Sequence, residues 1–189
     1  GRDWGLRIDN NKDAYLAWTS TNTQNYQSEN GSLDILKVGD VMVGDVEINE
    51  GVATTTLRKT ISVLKLVLNL PDVAVGDKLY SVQVRSQGGT ITTGDWIEYN
   101  QMGTPFMWHG NTLSFLELGL GSAGGMDTPG NKQLVVYIPG ALGKIPEGNL
   151  VITVYGQKKG NYVKTISIPE QKNMQAGFVY TITADLVKE

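Results

Sequence analysis

The run from Thr54 to Leu70 reads Thr-Thr-Thr-Leu-Arg-Lys-Thr-Ile-Ser-Val-Leu-Lys-Leu-Val-Leu-Asn-Leu and ends against Pro71. It is the longest apolar stretch of the chain, so whatever it forms must be buried by everything else. Leu57, Ile61, Leu64 and Leu68 recur at i, i+4, i+7 and i+11, the stripe of one helix face. Strand alternation also fits, but in two phases. Leu57, Ile61 and Val63 share one parity, while Leu64, Leu66, Leu68 and Leu70 share the other. A β-bulge explains such a change, because one extra residue flips every side chain that follows. The β-branched Thr60, Ile61, Val63 and Val67 favour a strand. The expectation is a long, bulged central strand that forms core and carries no chemistry.

The neighbouring chain reads the same way. Leu79 to Arg85 alternates with Tyr80, Val82 and Val84 on one face, and Gln133 to Pro139 with Leu134, Val136 and Ile138. Leu116, Leu118 and Leu120 alternate as well. Leu150–Tyr155 and Tyr162–Ile168 flank the turn Gly156–Asn161 as a hairpin. A last strand, Phe178 to Val187, sets Phe178, Tyr180, Ile182, Ala184 and Leu186 against Thr181, Thr183 and Asp185, which face solvent. Near the start, Leu6 and Ile8 alternate with Trp4 as a short edge strand, and Ala14 to Thr19 forms another. Asn49-Glu50-Gly51 is a hairpin turn. Ser20 to Ser32, rich in Thr, Asn, Gln and Ser, reads as a loop or lightly structured connection with a turn at Asn30-Gly31. Residues 90 to 132 are aromatic-rich without a firm period. With 23 glycines punctuating 189 residues, the class is all-β and the expected architecture a Greek-key β-sandwich. A soft boundary between residues 86 and 95 divides the expectation into domains 1–90 and 91–189.

Several function classes fall away. Sixteen basic against 19 acidic residues, net charge -3, provide no basic patch for nucleic acid or an anionic membrane. The chain has no cysteine, hence no disulfide, thiol nucleophile or thiolate-held metal. No segment is long and apolar enough to span a bilayer. His109 is the single histidine, in Met107-Trp108-His109-Gly110-Asn111, and no Gly-x-Ser-x-Gly elbow accompanies it. It reads as a surface residue of a polar loop. Gly119-Leu120-Gly121-Ser122-Ala123-Gly124 spells Gly-x-Gly-x-x-Gly, but a phosphate site needs a helix to start there. Gly125-Met126-Asp127-Thr128-Pro129-Gly130 cannot propagate one. Asp40, Asp45, Glu47 and Glu50 do not have EF-hand spacing and read as solvated turn carboxylates. The expectation is a protein that is not an enzyme and takes no cofactor or metal. Trp96, Tyr99, Phe106 and Trp108 leave two readings open: rings that stack on sugars, or rings that pack a core or seam.

Two pieces together resemble the fimbrillin family of Bacteroidetes. The first is Leu57-Arg58-Lys59-Thr60-Ile61-Ser62-Val63-Leu64-Lys65-Leu66, similar to a core strand with a basic lead-in. The second is the series Leu134–Pro139, Leu150–Val154, Tyr162–Lys164 and Ala176-Gly177-Phe178-Val179-Tyr180-Thr181-Ile182, which resembles the family's Pro-ended strand, glycine-turned hairpin and closing strand. The resemblance covers about two-thirds of the chain through composition rather than chemistry. It implies two transthyretin-like β-sandwich domains in tandem and an exported protein of the outer surface, a pilus (fimbrium) subunit or adhesin. A lipid anchor outside this sequence would hold it to the membrane. It also implies trimming after an arginine, for which Arg7 is a candidate, and strand addition between subunits. The candidate assembly strand is then Tyr180, Ile182, Ala184 and Leu186. Expected partners are other pilus subunits or further copies of the chain, and a surface glycan or protein as adhesion target.

Overall fold

The computed structural model describes residues 5–8, 14–17, 23–34, 36, 42–43, 46–59, 62–99, 105–113, 115–121, 124–140 and 142–189. In chain order its strands are β1 (Gly5–Ile8), β2 (Ala14–Ala17), β3 (Thr23–Gln27), β4 (Met42–Val43), β5 (Val46–Asn49) and β6 (Val52–Thr55). There follow β7 (Arg58–Lys59), β8 (Ser62–Asn69), β9 (Lys78–Ser86), β10 (Ile91–Tyr99), β11 (Pro105–Leu113), β12 (Phe115–Leu120) and β13 (Met126–Asp127). The last are β14 (Gln133–Gly140), β15 (Leu142–Ile145), β16 (Gly148–Gly156), β17 (Asn161–Ile168), β18 (Lys172–Asn173), β19 (Val179–Asp185) and β20 (Val187–Lys188). Among the described residues, helical backbone is confined to a 3-10 turn at Asp72–Ala74 and to positions Asp34 and Leu36. The protein is an all-β sandwich.

Three sheets matter here. In the first, β8 lies between β14, antiparallel, and β19, parallel. The second runs β20-β17-β16-β9-β12-β3, with β13 beside β9. The third joins β1, β2, β10, β15 and β18, with β11 on β10. Period-two alternation turns one side of each strand inward. Leu64, Leu66 and Leu68 of β8 stand in register with Ile138, Val136 and Leu134 of β14. Against them pack Val82, Val84, Leu116, Leu118, Leu120, Leu150, Ile152 and Val154 of the second sheet, all buried. Ile91, Ile145 and Met174 tie the third sheet to the same core. The first two sheets each take strands from both sides of residue 90.

The central strand is real, but it is shorter than its sequence suggests. β8 begins at Ser62, and Arg58–Lys59 belong to a separate ladder with β4, Val43 opposite Arg58. The two phases meet inside β8, at Val63 and Leu64, where both ladders run without a register shift: no bulge separates them, the start of the strand is buried on both sides, and Leu57 is exposed. Thr60 and Ile61 lie outside the described residues. Three further expectations change. The polar stretch Thr23–Gln27 is a strand, held parallel to β12. The span expected to be irregular holds the nine-residue strands β10 and β11, and His109 stands in β11 rather than in a loop. Tyr80 does not share the face of Val82. Opposite it the register slips between Tyr155 and Gly156, so Leu79 turns inward instead and Tyr80 stays exposed.

Candidate functional site: the two edges of a three-stranded sheet

β19 carries the closing residues expected to assemble. Its seven residues all pair with β8, from Val179 opposite Val63 to Asp185 opposite Asn69. The flanking bonds fix which groups point where. Val63 N–H donates to Phe178 O at 3.0 Å, and Leu186 N–H donates to Asn69 O at 2.9 Å. In a parallel ladder alternate residues turn both backbone groups to the same side. Tyr180, Ile182 and Ala184 therefore bond β8, while Val179, Thr181, Thr183 and Asp185 aim their N–H and C=O groups at the other edge. Among the described residues no strand pairs with that edge.

Burial changes along β19. Leu186 and Ala184 are buried, Ile182 and Tyr180 are half-buried, and Phe178 is 57% exposed. Just past Leu186 the chain crosses to the other sheet, where β20 pairs with β17, Val187 opposite Val163 and Lys188 opposite Tyr162. Extended backwards, that antiparallel register would set Ala184 opposite Ile166 and Ile182 opposite Ile168. Instead β19 follows β8, and the two sheets part. Ile166 and Ile168, like Tyr180 and Ile182, are left half-buried at the margin of the core. Lys164, in the inward phase opposite Ile152, is exposed. A charge pointing inward on an edge strand discourages indiscriminate pairing. The seam is closed at β20 and open towards Phe178.

The opposite edge of the same sheet is sealed. Gln27, fully buried, donates its side-chain amide to Val135 O at 2.8 Å, and its amide oxygen accepts Tyr137 N–H at 3.0 Å. Asn30 repeats the device one step along: its amide donates to Gln133 O at 3.0 Å and accepts Val135 N–H at 2.7 Å. Gly31 N–H adds a bond to Val135 O at 2.9 Å, from a left-handed backbone at φ 72 that glycine adopts without strain. Two side-chain amides thus stand in for a neighbouring strand.

The wall of the open seam is anchored by Asp77, which is 1% exposed. Oδ1 accepts the N–H groups of Lys78 and Lys158, both at 2.9 Å. Oδ2 accepts Lys159 N–H at 3.1 Å and the Tyr162 hydroxyl at 3.0 Å. Burial pushes the carboxyl up, but the N–H groups of Lys158 and Lys159, the Tyr162 hydroxyl and Lys78 N–H more than offset it and hold it below the ordinary range. Burial, then the Asp77 bond and charge, pushes the Tyr162 hydroxyl up to about 12. Gly156 is required here, because a Cβ on it would lie 2.4 Å from Asp77 Oδ2 and 2.5 Å from Gly160 O. The carboxylate is consumed in holding the β16–β17 turn.

The other candidates that the sequence suggests scatter. Trp96 and Tyr99 lie on β10, Phe106 and Trp108 on β11, and the register sets Trp96 opposite His109 and Ile97 opposite Trp108. Their side chains lie outside the described residues, as do Trp4, Asp40 and Asp45. Arg7 stands within β1, opposite Tyr15. Glu47 and Glu50 are exposed, and among the described residues no group of acidic or histidine side chains could hold a metal ion. Gln27 and Asn30 escape sequence reasoning, since polar amides in a polar stretch give no signal. For Asp77, the turn Gly76-Asp77 is a partial one.

No family model matches the chain, and no curated protein matches it. Among solved structures, a Bacteroides ovatus protein provisionally described as a cell adhesion protein is similar at 12% identity and a TM-score of 0.41. The match covers 93% of this chain and 63% of that one, so the chain spans under two-thirds of its length. At that depth the likeness says nothing of what this chain binds.

Proposed function

We propose that this chain is a cell-surface structural subunit of fimbrillin type, without catalytic activity, that joins other subunits by strand addition along the free edge of β19. The observation that carries it is the contrast within one sheet: on β14, Gln133 O, both groups of Val135 and the Tyr137 N–H are occupied by side-chain amides, whereas among the described residues no strand pairs with the four outward residues of β19. An added strand would bond Val179, Thr181, Thr183 and Asp185 through main-chain groups. Its alternate apolar side chains would enter the seam beside Tyr180, Ile182, Ile166 and Ile168. The recipient and the donor are copies of this chain or related subunits at the outer surface, held there by a lipid anchor beyond this sequence.

Deleting the closing strand would not test this, because Ala184 and Leu186 belong to the core. Thr181→Pro does. Proline removes one N–H from the free edge and none from the β8 ladder, the one place in a sheet where proline is tolerated. Assembly is followed by sedimentation and electron microscopy, before and after trimming with an arginine-specific protease. Wild type should form higher-order species that Thr181→Pro does not, with both folded by circular dichroism. A wild type that remains monomeric in both states, or a proline variant that assembles equally well, sinks the reading.

A further inference from the structure

The outward face of the second sheet carries a second kind of surface. Tyr26, in β3, lies over Gly119 of β12: a Cβ built on that glycine would be 2.4 Å from Cδ1, 2.5 Å from Cε1 and 3.1 Å from Cγ of the ring. Those three distances put the glycine under the ring's face rather than against its rim. Covering a strand glycine with a neighbouring aromatic also supports the sheet. It leaves the other face of the ring bare, and Tyr26 is 59% exposed. Ser81 stands opposite Gly119 on one side and Tyr155 on the other. The row across the sheet is therefore Tyr26 over Gly119, then Ser81, then Tyr155, which is half-buried. Two strand spacings from Gly119 to Tyr155 come to about 10 Å, a span that a short oligosaccharide bridges.

The adjoining row is polar: Glu117, Gln83 and Thr153 in register. The Ser81 hydroxyl donates to Glu117 Oε1 at 2.8 Å, which fixes that carboxylate and leaves Oε2 to accept from a ligand. Of the basic groups on this face, Arg85 is stacked on Phe115 at 5.0 Å and donates to Gln83 Oε1 at 3.3 Å, and Lys78 is paired with Asp127 at 3.3 Å.

We propose that this face binds a neutral oligosaccharide. The flat C–H face of a pyranose stacks on the exposed side of Tyr26, and neighbouring hydroxyls donate to Glu117. The ring is already pinned by Gly119, so little side-chain freedom is lost on binding. Glu117 at the centre, with Arg85 engaged elsewhere, disfavours anionic polymers. The core of a protein interface is depleted of charge, whereas here Glu117 stands in the row beside the rings, with Gln83 and Thr153. This goes beyond the reading above and uses residues remote from β19. Its failure and that of strand addition are therefore separately visible.

The test is saturation-transfer NMR on the folded chain with neutral hexasaccharides of gluco, manno and galacto configuration, and a heparin hexasaccharide as the anionic comparison. Wild type should transfer saturation to pyranose C–H protons of at least one neutral series. Tyr26→Ala should weaken that binding about tenfold and Tyr26→Phe hardly at all, as expected for lost stacking. Glu117→Gln should weaken it less. If Tyr26→Ala fails to fold, Tyr155→Ala and Glu117→Gln carry the same test. No transfer to any neutral probe, preference for heparin, or binding that survives Tyr26→Ala overturns the proposal. Loss on Trp108→Ala alone would also overturn it and move the site to the β10–β11 hairpin.

Discussion

The two edges of the three-stranded sheet solve one problem in opposite ways. Both β14 and β19 flank β8, and among the described residues both have a row of backbone groups with no strand beside them. On β14 the amides of Gln27 and Asn30 occupy Gln133 O, both backbone groups of Val135 and the Tyr137 N–H. On β19 no strand takes the outward groups among the described residues. The difference teaches that an exposed edge is not a by-product of this sandwich. The chain has the means to seal an edge and uses them on one side.

The strongest way to break the contrast is to unseal β14. Gln27→Leu leaves Tyr137 N–H without its acceptor in a buried site and should cost about 3 kcal/mol, read as a lower urea midpoint. It should also make a chain that associates through the wrong edge. A variant as stable as wild type would mean that water replaces the amide and that the seal is incidental.

Asp77→Asn loosens the wall of the open seam. It should cost about 2 kcal/mol near neutral pH, because an amide cannot accept all four of the carboxylate's bonds. The sign of the pH dependence follows from the lowered carboxyl. Its contribution is complete above the unfolded value of about 4 and is lost as pH falls through the folded value. The gap between wild type and variant should therefore narrow as pH falls below about 4. At the alkaline end Tyr162 acts oppositely: its contribution is whole below about pH 10 and fades as pH approaches its folded value of about 12. Denaturation followed across both limbs checks the two directions.

Asn30→Ala removes the outer, exposed part of the seal and should cost about 1 kcal/mol by the same denaturation. The smallest stability effect belongs to Thr181→Pro, about 0.5 kcal/mol, although its effect on assembly should be complete. That inversion sharpens the comparison: β14 substitutions change stability, and β19 edge substitutions change association.

How much of this is legible in the sequence depends on whether a residue's role is apolar and periodic. Leu134, Val136 and Ile138, or Leu150, Ile152 and Val154, mark their strands by alternation, and the structure settles the inward face by burying all six. β3 is not legible, since Thr-Gln-Asn-Tyr-Gln has no apolar alternation and is held by a parallel partner far along the chain. Gln27, Asn30 and Tyr26 lie in or beside that polar strand and are hidden with it. Asp77 is visible as a turn residue, but the hairpin turn it anchors lies some 80 residues later, which no local pattern encodes. The two phases around Leu57 and Leu64 do not mark the bulge they suggest: β8 buries Val63 as well as Leu64, and a strand start covered on both sides gives the same pattern as an inserted residue.

The placing of β8 also sets the order in which the molecule can be made. Asn69, at its end, meets Gln133 64 residues later and Asp185 116 residues later. Synthesis therefore releases the most apolar segment long before either flanking strand exists. Loops of that length must close before any contact repays them, so folding of this sheet is slow and waits for β19. Until then Ser62–Asn69 is a sticky ribbon with two bare sides, and a holding chaperone would find its grip there.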